Sequence, residues 1–175
     1  MFEEFQEEVF EWSEENFPGQ PSHNPYLGID EEFGELVEET SGQTPTEFEF
    51  DCVGDMLVYL ADFCGRRGLD MEKAYDERVR VEDISGLEPE QLSEDPLRNV
   101  QIAKGRIARS ILKQNQGIRL NEDRVGEEAE QKAVSLLIRS LEKFAESRGY
   151  TLREAVQAAW YDEVIERDWD SSYRE

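Results

Sequence analysis

Glu32 and Glu35, in an EEFGEL run that starts at Glu31, and Asp51 and Asp55, in a DCVGDML run that starts at Asp51, are the residues best suited to chemistry. On a helix the first pair (i, i+3) and the second pair (i, i+4) each share a face. Two such helices side by side aim four carboxylates into one seam. Like charges that close repel and lose solvation, so the arrangement calls for a divalent cation to neutralise it. Oxygen-only donors select Mg²⁺, or Mn²⁺, rather than zinc.

The elements that must position these groups are helical, and no stretch reads as a strand. A first helix over 2–16 places Phe2, Phe5, Val9 and Trp12 on one stripe against a glutamate-rich outer face. The Pro/Gly/Asn segment NFPGQPSHNP reads as loop. A second helix is expected from about Gly28 to Glu39 and a third over 47–67, closed by Gly68 as C-cap; 71–81 reads as a short fourth. Residues 82–96, with Gly86, Pro89, Ser93 and Pro96, read as a linker between a first half (1–81) and a second (97–175).

The halves resemble each other. DCVGDMLVYLADFCGRRGLDMEKA aligns with KAVSLLIRSLEKFAESRGYTLREA, pairing Val53 with Val134, Phe63 with Phe144 and Gly68 with Gly149 at an offset of 81 (134 − 53). Upstream, EFGELVE aligns with AKGRIAR through Gly34 and Gly105 at an offset of 71 (105 − 34). The repeat is a helix pair whose connection is ten residues longer in the second copy, and a duplicated pair makes a four-helix bundle in one chain. In the second copy the four acids become Ala103, Arg106, Lys132 and Leu136, so one metal site is expected. That copy carries a cationic run instead: Lys104, Arg106, Arg109, Lys113 and Arg119. Such groups can hold a polyphosphate or simply pair with surplus glutamates.

The 175 residues carry a net charge of −23, which repels phosphate backbones and argues against duplex nucleic acid as a partner. Acid excess with Arg favoured over Lys suits a halophilic protein working in very high salt; an ordinary acidic cytosolic protein is the other reading. No apolar stretch approaches the roughly 20 residues of a membrane span, and MFEEFQEE lacks the pattern of a signal peptide, so a cytoplasmic protein is expected. Cys52 and Cys64 fall within one expected helix, about 18 Å apart along its axis, too far to bridge, and read as buried thiols.

Together, EWSEENFPGQP from Glu11, LGIDEEFGEL from Leu27, DCVGDMLVYLADFCGRRGLDMEKA from Asp51, LKQNQGIR from Leu112 and YDEVIERDW from Tyr161 resemble the MazG-like branch of the all-α nucleoside triphosphate pyrophosphohydrolases. The resemblance covers most of the chain. It implies a MazG-like helical bundle of four-helix type, here a single-chain pseudo-dimer, with Mg²⁺ at its acidic cluster. It also implies attack of water on a nucleoside triphosphate, releasing pyrophosphate and leaving the monophosphate. Glu32 and Glu35 match the family's ExxE, and Asp55 the final acid of its ExxD. The first acid of ExxD falls on Cys52, a departure for which Asp51 is the natural substitute.

The implied division of labour gives the first half the metal and the water, and the second half a cationic loop for the triphosphate. Glu32 or Glu35 is the candidate base, while Glu31 and Glu38 either ligate a second ion or face solvent. His23 is either an incidental loop histidine or a stacking partner for the base. Trp12 and Phe17 can flank the base or belong to the core, and Trp160 and Trp169 read as packing residues. The chain can stand as a monomer or pair again as a homodimer. The rival reading is a catalytically inactive nucleotide-binding or protein-interaction module. A di-metal redox bundle wants Glu-x-x-His pairs, which the single His23 cannot supply.

Overall fold

The computed structural model describes residues 1–40, 45–75, 92–118 and 125–165. Over these residues the chain is all-α, with no strand. Its helices are α1 (Phe2–Asn16), α2 (His23–Glu39), α3 (Glu47–Arg67), α4 (Met71–Ala74), α5 (Pro96–Asn115), α6 (Glu127–Arg148) and α7 (Leu152–Val156), the last continuing as a π-helical segment, Gln157–Val164. None of these helices is long and apolar enough to cross a membrane.

Local chemistry sets the ends of these helices. Thr46 caps α3 by accepting the Glu49 amide, Glu47 and Glu49 sit in its first turn and Arg66 and Arg67 in its last, which suits the helix dipole. Gly68, at φ 67°, turns the chain left-handed, and the Leu69 amide donates back to the Cys64 carbonyl. The pattern recurs after α6: Gly149 has φ 89°, Tyr150 N–H donates to the Ala145 carbonyl, and Thr151 and Glu154 form a reciprocal capping box at the start of α7.

Two expected boundaries move. The second helix starts at His23 rather than near Gly28, because Pro25 lies in its first turn, where an amide has no intrahelical partner to lose. Pro96 opens α5 as its first residue, with the Asp95 carboxylate accepting the Leu97 amide. The expected fourth helix is described as far as Ala74, and 76–91, which holds its remainder and most of the expected linker, lies outside the described residues.

α2 and α3 pair along their length, as do α5 and α6. α3 is the most enclosed helix, with Val53, Met56, Leu57, Leu60 and Phe63 fully buried among α1, α2, α6 and α7. Trp160 of the π-helical segment is fully buried and meets Trp12 edge-on at 5.6 Å, as expected for a packing residue. The short helices cross over: α4 packs on α6, and α7 packs on α3.

At the second crossing Gly54 lets the backbones touch. A Cβ there would stand 2.4 Å from the Ala155 carbonyl oxygen and 2.5 Å from the Ala159 Cβ. Gly54→Ala is therefore expected to cost about 1–3 kcal/mol in urea denaturation, because backbone must move. Gly34→Ala, on an exposed stretch of α2 where a Cβ meets nothing within 4 Å, should stabilise by roughly 0.5–1 kcal/mol in the same assay.

Candidate metal centre

The seam between α2 and α3 is a ladder of helix-period positions running in opposite directions. At one end the Tyr59 ring lies over Gly28, so close that a Cβ on Gly28 would stand 2.6 Å from it. One and two turns along, Glu32 and Glu35 on α2 meet Asp55 and Cys52 on α3. One carboxylate oxygen each from Glu32 and Glu35 and the Cys52 sulfur lie within 4.8 Å of one another. Cys52 is buried, at 1% exposure, and the two glutamates are half-buried.

The charges of the seam act on one another. Burial, then Asp55, Glu31, Glu35 and Asp51, push the Glu32 carboxyl up to about 8. Burial, then Glu32, Glu35, Asp51 and Asp55, push the Cys52 thiol up to about 12. Tyr59 is raised as well, by burial and then by Glu32 and Asp55. The four expected acids thus come together, but the tight triad consists of Glu32, Glu35 and Cys52, with Asp51 and Asp55 flanking it. Asp51 is not among the three residues whose donor atoms lie within 4.8 Å of one another, although its charge acts on Glu32.

Separations of up to 4.8 Å between donors fit a divalent ion held about 2.0–2.4 Å from each. The residues present therefore suit a cation. Glu31 and Glu38 are exposed, consistent with facing solvent. Tyr59 was not singled out from sequence, although the i+4 steps Asp51, Asp55, Tyr59 put it on the same face.

Glu32 makes the ion-free protein pH-sensitive. The folded chain keeps a proton on Glu32 up to about 8, whereas the unfolded chain loses it near 4.5, so Glu32's own contribution to stability is full below 4.5 and is lost as pH rises through that window. Thermal melts in chelator are expected to show this decline for the parent protein and a much flatter profile for Glu32→Gln. A bound divalent cation should flatten the parent profile too.

The cationic residues divide. Lys104 is buried, its Nζ 2.7 Å from Asp30 Oδ1 and 3.7 Å above the Phe33 ring, so it ties α5 to α2 and does not reach solvent. Arg106, Arg109 and Lys113 follow one another on α5 at helix-face spacing. Arg106 is half-buried and held below its ordinary range by burial and by Arg109; Arg109 is exposed, and Lys113 Nζ donates to Gln116 Oε1 at 3.3 Å. Arg119 lies outside the described residues, as does Trp169. His23 is exposed at the first position of α2. Trp12 sits in an aromatic cluster, edge-on to both Phe17 and Trp160.

Beside the centre, an open groove of about 780 Å³ runs between the start of α3 and the π-helical segment. Asp51 lines it together with Phe48, Phe50 and Asp162. Comparison of the chain with family models, with curated proteins and with solved structures finds no match in any of the three.

Proposed function

We propose that the chain is a Mg²⁺-dependent nucleoside triphosphate pyrophosphohydrolase of MazG-like type, built as a single-chain pseudo-dimer. The observation that carries this reading is the seam in which Asp51 and Asp55 act on Glu32, and in which donor atoms of Glu32, Glu35 and Cys52 are spaced for a divalent ion. Glu32 and Glu35, flanked by Asp51 and Asp55, would hold it. Mg²⁺, when bound, supplies charge neutralisation for phosphate oxygens, which is most of what phosphoryl chemistry needs. Whichever of Glu32 and Glu35 keeps an uncommitted oxygen accepts the proton of the attacking water. Arg106, Arg109, Lys113 and Arg119 of the second half are the groups to grip the triphosphate, with His23 near the base, whereas Lys104 serves the α2–α5 joint.

Duplication is supported by a reciprocal pair of ion pairs. Arg67 of the first half donates to Glu130 of the second through Nε at 2.9 Å and Nη2 at 2.5 Å. Arg148 of the second half donates to Glu49 of the first through Nε at 3.0 Å and Nη2 at 2.8 Å. The arginines are 81 residues apart (148 − 67), and so are the glutamates (130 − 49). Residue i meeting j′ while i′ meets j is the pattern of a two-fold interface. The second helix pair also fits the shifted register, since α5 runs five residues past Ser110, the counterpart of Glu39.

A second reading, a catalytically inactive nucleotide-binding or interaction module, is favoured by Cys52 at a position where the family carries an acid. Pyrophosphate release from a panel of canonical and modified nucleoside triphosphates, with Mg²⁺ and Mn²⁺ at low and multimolar salt, decides between them. Release that disappears in Asp55→Ala is the expected result. Folded protein that releases none under any condition supports the inactive module.

A further inference from the structure

We propose that Cys52 is itself a ligand of the centre, which makes it a mixed oxygen and sulfur site that holds borderline divalent cations such as Mn²⁺, Co²⁺ or Zn²⁺ in preference to Mg²⁺. The proposal rests on the metal-site part of the functional reading and names the ion class of that same site. Its first support is geometric. The sulfur belongs to the set of donor atoms within 4.8 Å of one another, alongside an oxygen from each glutamate, and it enters that set from the opposite helix. Thiolate to metal distances near 2.3 Å and carboxylate distances near 2.0–2.2 Å both fit inside such a set.

The second support concerns the thiol alone. Cys52 is 1% exposed and points into a carboxylate-lined seam, and no hydrogen bond or ion pair joins it to any described residue. Cys64, three turns along the same helix, is just as buried, yet it belongs to no such donor group among the described residues. A cysteine that only fills space has no reason to sit among four acids. The second half shows the contrast: where Ala103, Arg106 and Leu136 replace Glu32, Glu35 and Asp55, the counterpart of Cys52 is Ala133. The sulfur is present where the carboxylates are and absent where they are not.

Soft donors favour later first-row ions, whereas Mg²⁺ prefers an all-oxygen, near-octahedral shell. On ligation the thiol gives its proton to solvent and the sulfur lone pair forms the bond, so charge and atoms balance without a further reactant.

The test is titration of the full chain with Co²⁺, followed both by calorimetry and by near-ultraviolet absorption, where a sulfur to cobalt charge-transfer band reports thiolate ligation. The band is expected in the parent protein and in Cys64→Ala, and it is expected to vanish in Cys52→Ser. Cys52→Asp should also lack it, while binding Mg²⁺ more tightly relative to Co²⁺ than the parent does. Co²⁺ bound with no band, or a band that survives in Cys52→Ser, overturns the sulfur ligand and leaves an oxygen-only centre standing. A folded parent protein that binds neither Co²⁺ nor Mg²⁺ overturns both the sulfur ligand and the metal centre.

Discussion

Glu35→Ala and Asp55→Ala are each expected to lower pyrophosphate release by about a hundredfold or more, the scale seen when one preorganised electrostatic group is taken from a reacting centre. The physical reason lies in the seam. Glu32 there is held against burial and like charge, and on the proposed function those costs are repaid when a cation and a phosphate arrive. Removing one side chain leaves fewer donors and a weaker field at the point where charge develops. The same removal relieves repulsion in the ion-free protein, so melting in chelator should not fall. Loss of activity is thereby separated from loss of fold. Initial rates and melts measured side by side settle it, and a variant that kept more than a tenth of the parent rate would place Glu35 or Asp55 outside the reacting centre.

Much of this was legible in the amino-acid order, and the exceptions have physical causes. α1 and α3 fall where their apolar stripes and caps put them, since periodicity and an αL glycine are local properties. α2 begins earlier than the Pro-rich segment suggested, because a proline forbidden inside a helix is welcome in its first turn. That Glu32 and Glu35 share one face of α2 followed from spacing alone. That Cys52 rather than Asp51 completes the triad did not, because one residue rotates a side chain by about 100° around the helix and only the packing of α2 on α3 decides which of the two faces the seam. Lys104 reads as one more cation in a run; its burial depends on Asp30 and Phe33, distant in the chain. The Arg–Glu exchange was within reach, since the offset of 81 already matched the residues, but nothing local says that α3 and α6 bring these residues together.

The largest stability effect is expected at that exchange. Glu49 and Glu130 are at most 1% exposed, and Arg148 and Arg67 are their ion-pair partners. Arg148→Met strands a buried carboxylate, which costs about 3–5 kcal/mol. Arg67→Met should cost less than Arg148→Met, because Glu130 also accepts hydrogen bonds from Ser110 at 2.6 Å and Gln114 at 3.0 Å. Restoring balance by removing both partners, as in Arg148→Met with Glu49→Leu, should recover most of the loss, since replacing a buried pair by apolar groups of similar volume is often close to neutral. Urea denaturation of the two single variants and the double variant measures the coupling directly. A simple additive loss in the double variant would mean that the glutamate is stabilised by something other than its arginine.

The crossing of the short helices also determines how the molecule comes apart. α4 bridges α1 and α6: Glu72 accepts the Phe2 amide and the Met71 amide donates to Gln6 on one side, while Gln131 bonds both the amide and the carbonyl of Asp70 on the other; α7 lies against Gly54 of α3. Each short helix thus ties together helices from distant parts of the chain. Opening either one parts helices that are distant in the chain, so urea unfolding is expected to follow a single transition.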